Sequence, residues 1–204
     1  MSLMESVQKI VNGYDIETKP WGDVLGLVNG KMITLNAEVT SELLSSVFSK
    51  ISDLFGAPIY THSYYGYIWK VNGEYLAYKL HEKSYNNEVI ALLILNRMPI
   101  GRKMKYSEYV QIEEMVRQVF SEYNLSCDNF VHYIDGCFRI WGESAERNCY
   151  LLLKPHSLKF SCSRTVSHYD GTIKTKPCYS RKERISLRDL SEVKRTLENC
   201  FIGG

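Results

Sequence analysis

The sequence predicts an α+β protein built from two pseudo-repeated units, each a helix followed by an antiparallel meander. Two observations lead to this prediction. An amphipathic helical stripe precedes four strand-like segments, and the same order of elements recurs about 70 residues later. Similar residues also recur at nearly constant offsets. We expect the two units to share one core, with an N-terminal hairpin before them and a C-terminal helix after them.

The recurring residues indicate the extent of each unit. His62 recurs as His132, 70 positions later, and Lys79 recurs as Lys154, 75 positions later. Chance recurrence of the element order is the alternative to a duplication. The predicted parts are two units and a C-terminal hairpin with a helix, at residues about 37–96, 106–168 and 169–204. Because the joint at 97–105 is short, we expect all 204 residues to form a single domain.

The first part of the chain is predicted to contain a hairpin, a helix and four strands. Asn29-Gly30 suits a two-residue type I′ turn and predicts a hairpin over residues 24–35. Pro20 is expected to interrupt regular structure over residues 19–22. Apolar residues at helical spacing predict a helix over residues 40–55. The predicted strands lie at residues 59–64, 67–71, 74–81 and 88–95.

Asn72-Gly73 predicts the register of the central strands. A two-residue turn there places Val71 opposite Glu74 and Tyr67 opposite Tyr78. The face expected to meet the helix carries Tyr65, Tyr67, Trp69, Val71, Leu76, Tyr78 and Leu80. The other face is mixed and is expected to contact water; it carries Tyr64, Ile68, Lys70, Tyr75, Ala77, Lys79 and His81. Residues 89–95 lack polar alternation, which predicts burial on both sides.

The second part repeats this order and adds a final helix. A helix capped by Ser107 is predicted through Tyr123. Hairpin turns are predicted at Asp135-Gly136 and Asp170-Gly171, and Ser186 is expected to open the last helix. The predicted strands lie at residues 129–134, 137–142, 148–154, 158–168 and 172–176.

Composition bounds the class of protein. The longest apolar run, residues 89–95, is too short to span a bilayer, and the N-terminus lacks the apolar stretch of a secretory signal, so we expect a cytoplasmic protein. Residues 1–153 carry 14 basic and 18 acidic side chains, net −4, whereas residues 154–204 carry 11 and 5, net +6. The basic end is an electrostatic feature that could attract an acidic partner.

No catalytic, metal-binding or cofactor-binding signature is present. The six cysteines form no close pair of the kind that zinc modules use, and reduced, buried thiols are the expectation. Histidines matched between the units, such as His81 and His156, could act as acid–base groups near neutral pH. Ordinary strand histidines are the alternative. We therefore expect no cofactor, no metal and, on balance, no enzyme.

The candidate binding residues combine tyrosines with basic side chains. Aromatic and cationic groups on one sheet face suit both protein partners and single-stranded nucleic acid. Matched positions in the second unit and the basic C-terminal part extend the set. The full set is Tyr64, Lys70, Tyr75, Lys79, His81, Lys154, His156 and Arg181.

The leading hypothesis for function is non-enzymatic recognition of a protein partner through the aromatic and basic sheet face. A nucleic-acid-binding module that uses the basic C-terminal part is the first alternative. An enzyme with a dispersed His, Tyr and Lys site between the two units is the second. The sequence names no ligand and no oligomeric state.

Overall fold

The computed structural model describes residues 2–22, 27–84, 87–127, 131–134, 137–167 and 173–202, with the backbone alone at residues 82–84, 87, 131–134, 165–167 and 173–176. Over these residues the fold is α+β, with four helices and two antiparallel sheets, as the sequence predicts. None of the described helices is long and apolar enough to cross a membrane.

The chain divides into two compact units, Met1–Ser107 and Glu108–Gly204. The boundary lies close to the joint predicted at residues 97–105. That joint is not free of regular structure, because Lys103–Lys105 forms a short strand. The single domain and the shared core stay predictions.

The first unit contains two helices and a seven-stranded sheet. The helices are α1 (Leu3–Ile10) and α2 (Ser41–Phe55). The strands are β1 (Ile16–Gly22), β2 (Asn29–Leu35), β3 (Tyr60–His62), β4 (Gly66–Val71), β5 (Glu74–Ser84), β6 (Asn87–Leu95) and β7 (Lys103–Lys105). Their order across the sheet is β1-β2-β6-β5-β4-β3-β7.

Two sequence predictions fail in the N-terminal hairpin. Asn29-Gly30 does not form the turn; it begins β2 and pairs with Trp21 and Gly22 of β1. Residues 19–22 do not interrupt regular structure either, because Pro20 lies within β1. β1 is an edge strand, and an edge is where a sheet tolerates a residue without a backbone N–H.

The central register is confirmed. Val71 pairs with Glu74 and Tyr67 with Tyr78. The turn between them has positive φ at Asn72 (50°) and Gly73 (89°), as a type I′ turn requires. Local turn chemistry therefore sets the alignment of β4 and β5.

The helices cover one face of this sheet. Thr40 caps α2, and its hydroxyl accepts the backbone N–H of Leu43. Both helices pack on buried side chains of the sheet. The helices contribute Leu3, Val7, Val47 and Ile51, and the sheet contributes Ile33, Leu35, Trp69, Leu76, Tyr78, Ile90, Leu92 and Ile94. Burial of this apolar surface is the main stabilising contribution in the unit.

Tyr65 is not on the helix-covered face, contrary to the prediction. It lies in the turn between β3 and β4, where strand alternation no longer applies, and it packs with Ile68 and Ala77 on the opposite face. The expectation that this opposite face is wet is also wrong at its centre. Ile68, Ala77, Ala91 and Leu93 are at most 1% exposed. Residues 89–95 are buried throughout, as predicted.

The second unit contains two helices and a five-stranded sheet. The helices are α3 (Tyr106–Glu122), which begins just before the unit boundary, and α4 (Leu190–Ile202). The strands are β8 (Val131–Ile134), β9 (Cys137–Glu143), β10 (Arg147–Lys154), β11 (Ser157–Ser167) and β12 (Ile173–Arg184), and their order is β12-β11-β10-β9-β8.

Aromatic rings join the helices of this unit to its sheet. Phe120 of α3 lies 6.4 Å from Phe160 of β11 and 5.7 Å from Phe201 of α4, between ring centroids. Phe160 and Phe201 are 4.7 Å apart. The apolar stripes of α3 and α4 therefore pack on the same side of the sheet, in one core.

Two details of the C-terminal part differ from the predictions. The strand predicted at residues 172–176 is longer than expected, because β12 continues to Arg184 as an edge strand of twelve residues. Asp189, not Ser186, caps α4: the carboxylate of Asp189 accepts the N–H of Glu192 at 3.0 Å. The turns predicted at Asp135-Gly136 and Asp170-Gly171 lie outside the described residues.

The predicted repeat is not confirmed. In each unit a helix precedes four strands that are consecutive neighbours in the sheet. The matched residues do not occupy equivalent places, however. Lys79 and His81 lie inside β5, whereas Lys154 ends β10 and His156 lies in the following turn.

Candidate binding surfaces

Two surfaces together contain three of the eight predicted binding residues, namely Tyr64, Lys79 and Lys154. The first, which we call the Tyr64 cluster, consists of His62, Tyr64, Tyr65 and Lys79 at the turn between β3 and β4. Tyr64 is 60% exposed, and the ammonium of Lys79 lies 3.8 Å from the centroid of its ring. This is a close cation–π contact. Burial lowers the pKa of Lys79.

His62 holds the turn that presents Tyr64. Its Nδ1 accepts the backbone N–H of Tyr64 at 3.1 Å and that of Tyr65 at 3.3 Å. A ring that accepts at Nδ1 is neutral and carries its proton on Nε2. Burial lowers the pKa of His62; a backbone contact at Ile100 raises it, and the positive charges of Lys103 and Lys79 lower it further.

The ring of His62 has no space for a ligand. Only 2% of the residue is exposed, and a Cβ added at Gly101 would stand 2.9 Å from Nε2. The backbone of Gly101 therefore closes this side of the imidazole. His62 braces the turn, and the exposed part of the Tyr64 cluster is the ring of Tyr64.

The other predicted residues of this face do not form one open surface with Tyr64. Lys70 is exposed and pairs with the half-buried Tyr75 near the turn that joins β4 to β5. The buried pair of Ile68 and Ala77 separates them from Lys79. His81 is half-buried. The structure thus divides the predicted recognition face into two separate rims.

The second surface lies on the five-stranded sheet, on the side away from α3 and α4. We call it the outer face. It is formed by eight side chains from four strands: Arg139, Trp141, Tyr150, Leu152, Lys154, Lys159, Lys182 and Arg184. Side chains alternate along a strand, so β9 sends Phe138 and Ile140 into the core and Trp141 outward. Trp141 is 41% exposed.

Strand register brings the outer-face residues together in rows. Trp141 pairs directly with Tyr150, and their ring centroids are 5.1 Å apart. In the adjacent row Leu152 pairs with Arg139 on one side and with Lys159 on the other, and Lys159 pairs in turn with Lys182. The result is an apolar group of Trp141, Tyr150 and Leu152 with cations on the side of Leu152, whereas Glu143 follows Trp141 on the other side.

Charge is segregated in the second unit. Five cations lie on the outer face. Among the described side chains of β9 to β12, one carboxylate shares this face, that of Glu143 at the end of β9. The helices behind the sheet carry six carboxylates: Glu108, Glu113, Glu114, Glu122, Glu192 and Glu198. The outer face is therefore locally positive although the whole chain carries only +2.

The remaining predicted site residues fall at the margins. Lys154 belongs to the outer face, and His156 is exposed in the turn between β10 and β11. Arg181 lies on the helix side of β12, where it donates to the backbone oxygen of Asn199 at 3.3 Å. Trp141, Tyr150 and Arg139 were not among the candidates. Alternation within residues 137–142 places Arg139 and Trp141 on one face of β9, but only the pairing with β10 adds Tyr150 to that face.

A groove of the second unit lies at the end of α3, beside the turn that joins β9 to β10. It has a volume of 460 Å³ and is lined by Glu122, Tyr123, Asn124, Ser144, Ala145, Glu146 and Arg147, and neither His81 nor His156 lines it. Within the described part of the chain, no three His, Cys, Asp or Glu side chains converge as metal ligands would.

Comparisons with protein-family models, with curated proteins and with solved structures gave no match.

Proposed function

We propose that this is a non-enzymatic, cytoplasmic binding protein that recognises an acidic segment of a protein partner on the outer face of its second sheet. The observation that carries the proposal is the exposed Trp141, which pairs with Tyr150 and lies beside a row of cations. Trp, Tyr and Arg are the side chains that dominate binding hot spots, and all three lie together on this face.

The arrangement matches the anatomy of a protein interface. Trp141, Tyr150 and Leu152 supply an apolar group, and cations border it on one side: Arg139, Lys154, Lys159, Lys182 and Arg184. Lysine is disfavoured in the dry centre of an interface and tolerated at its rim. Rim cations speed association with an acidic partner and suppress binding of basic ones.

Single-stranded nucleic acid is the second candidate, and the same Trp141–Tyr150 pair favours it, because bases stack on such rings beside lysines. The overall charge argues for the protein partner. The chain has a pI near 8.1, below the value above 9 that is typical of nucleic-acid-binding domains. The dispersed enzyme site needs groups from both units and stays a prediction.

Two labelled probes test the proposal by fluorescence anisotropy: a peptide rich in Glu and Tyr, and an oligodeoxythymidine of similar length. We expect the peptide to bind the wild-type protein at low salt. Trp141→Ala should weaken binding by about 2 kcal/mol, roughly 30-fold, as the loss of a hot-spot side chain does. The double variant Lys159→Glu/Lys182→Glu should abolish binding.

The matched control is Arg195→Glu, which reverses an exposed cation on α4, away from the outer face. It should bind as the wild type does. Equal loss in the control and in the outer-face variant would mean that only net charge matters. Tight, strongly salt-dependent binding of the oligodeoxythymidine, with no binding of the peptide, would replace the proposal by the nucleic-acid function.

The partner itself can be sought by replacing Trp141 with a photo-crosslinking amino acid in cells. Adducts should carry a protein with an acidic surface and should be absent when the same amino acid replaces Lys31, an exposed residue of the first unit. Recombinant binding of that protein, weakened by Lys159→Glu/Lys182→Glu, completes the test. An adducted protein whose binding ignores the outer-face variants would refute the proposal.

A further inference from the structure

Two buried thiols of the second unit face one another across adjacent strands. Cys149 of β10 and Cys162 of β11 are directly paired in the antiparallel register, and both side chains point toward the helices. Their sulfur atoms are 3.0 Å apart. A covalent bond of about 2.05 Å needs the sulfurs to approach by only about 1 Å. Directly paired Cα atoms, about 4.5–5.5 Å apart, also lie within the range that disulfides span.

A third thiol lies beside this pair and reaches the surface. Cys162 pairs with Tyr179, and the next residue, Ser163, pairs with Pro177, so Cys178 is the extra residue of a β-bulge in the edge strand β12. Cys178 is exposed, whereas Cys149 and Cys162 are 3% and 6% exposed. Cys178 lies between Tyr179 and Pro177, which pair with Cys162 and Ser163, so its backbone runs beside that of Cys162.

We propose that Cys149 and Cys162 are a reversible disulfide site that exchanges with a small-molecule disulfide, such as oxidised glutathione, and that Cys178 is the thiol through which the exchange enters. A bulge leaves its extra residue outside the ladder and re-aims the side chain, which gives Cys178 access both to solvent and to the pair. Disulfides of reducing compartments are typically of this transient kind.

The exchange balances without another reactant. The thiolate of Cys178 attacks the small-molecule disulfide, which forms a mixed disulfide and releases one small thiolate. Cys162 then attacks the sulfur of Cys178 and releases the second small thiolate. Cys149 attacks Cys162 and returns Cys178 to its thiolate. In the net reaction two cysteine thiols lose two electrons and two protons, and the small disulfide becomes two thiols.

The burial of the pair explains why an exposed relay is needed. Burial is the largest cause that raises the pKa of Cys149, followed by its hydrogen bond with Cys162. Each unit by which a thiol pKa rises above the ambient pH lowers the thiolate fraction about tenfold. Direct attack by Cys149 on a dissolved disulfide is therefore slow. Its burial also keeps a dissolved disulfide away from its sulfur.

The test treats the reduced wild-type protein with oxidised glutathione, quenches with N-ethylmaleimide, denatures and measures intact mass. We expect two fewer alkylated sites than the six cysteines of the chain, with no retained glutathione. Peptide mapping should locate the bond at Cys149–Cys162, and dithiothreitol should restore all six sites. Retention of glutathione with no internal bond, or a bond that joins other cysteines, would overturn the proposal.

Single variants separate the roles of the thiols. Cys178→Ser should slow formation of the Cys149–Cys162 bond by about tenfold or more and leave its position unchanged. Cys149→Ala should trap glutathione or a bond at Cys178. Cys137→Ala, which removes a half-buried thiol of β9, is the control and should oxidise at the wild-type rate. An unchanged rate in Cys178→Ser would refute the relay.

The mapping experiment on the wild-type protein does not depend on any variant being folded. It is also independent of the outer face: failure of the peptide-binding test leaves the disulfide site unaffected, and the reverse also holds.

Discussion

Gly142 of β9 allows that strand to approach α3 closely, and Gly142→Ala should lower the stability of the second unit. A Cβ added at Gly142 would stand 2.5 Å from Cε2 of Phe120 and closer still to Cδ2. Phe120 is completely buried, and its ring contacts Phe160 and Phe201. The ring therefore cannot turn aside without disturbing the other two.

The magnitude follows from two opposing effects. Overpacking in a filled core costs about 1–3 kcal/mol. Replacement of glycine by alanine restricts the unfolded chain and returns about 0.4–1 kcal/mol. We expect a net loss of about 1–2 kcal/mol in the free energy of unfolding, measured as a lower urea midpoint with an unchanged m-value.

Two further variants test whether the loss of stability comes from the contact between residue 142 and Phe120. Phe120→Leu in the Gly142→Ala background should recover part of the loss, which gives a favourable coupling in a double-mutant cycle. Glu143→Ala, an exposed change on the same strand, should alter stability by less than about 0.5 kcal/mol. A Gly142→Ala protein as stable as the wild type would show that β9 and α3 are not in close contact.

Two further predictions concern the first unit. The pKa of His62 is lower in the folded protein than in the unfolded chain, so the unfolded chain binds more protons below about pH 6.5. The stability that His62 contributes is therefore complete above that pH and is lost as the pH falls through the folded-state pKa. The loss is about 1.4 kcal/mol for each unit by which folding lowers the pKa of His62. His62→Gln should therefore flatten the pH dependence of the urea midpoint between pH 5 and 7. Lys79→Met and Tyr64→Leu should show a coupling of about 0.5–1 kcal/mol in a double-mutant cycle, because the cation–π contact is partly exposed.

The controls for these two predictions lie in the same chain. His156→Gln changes an exposed histidine and should leave the acid-induced loss of stability as in the wild type. Lys79→Arg keeps the cation and should retain most of the coupling with Tyr64. A steep acid-induced loss that survives in His62→Gln, or a coupling near zero in the cycle, would contradict the respective argument.

Local information accounts for much of this fold. The stripe of α2, its cap at Thr40 and the Asn72-Gly73 turn were predictable because each depends on residues within one or two turns of chain. The burial of residues 89–95 was predictable for a similar reason: an unbroken apolar strand is compatible with nothing but a covered position.

Other features depend on neighbours distant in sequence. Pro20 is compatible with a strand only because β1 lies at the edge of the sheet, and strand order is a property of the assembled sheet. Tyr65 lies on the face opposite to its predicted one because the turn between β3 and β4 interrupts alternation. No single segment contains the information for either placement.

The α+β class, the positions of most helices and strands, and the aromatic and basic side chains available for binding could be read from local sequence patterns. Which of those side chains meet depends on the pairing of strands that are distant in sequence. The outer face arises because the pairing of β9 to β12 brings Trp141 to Tyr150 and Lys159 to Lys182. The pairing of Cys149 with Cys162 could not be predicted either, because Pro155-His156 is not a dipeptide that indicates a hairpin turn. Periodicity is encoded along one strand, whereas the neighbours of a strand are chosen by packing of the whole unit.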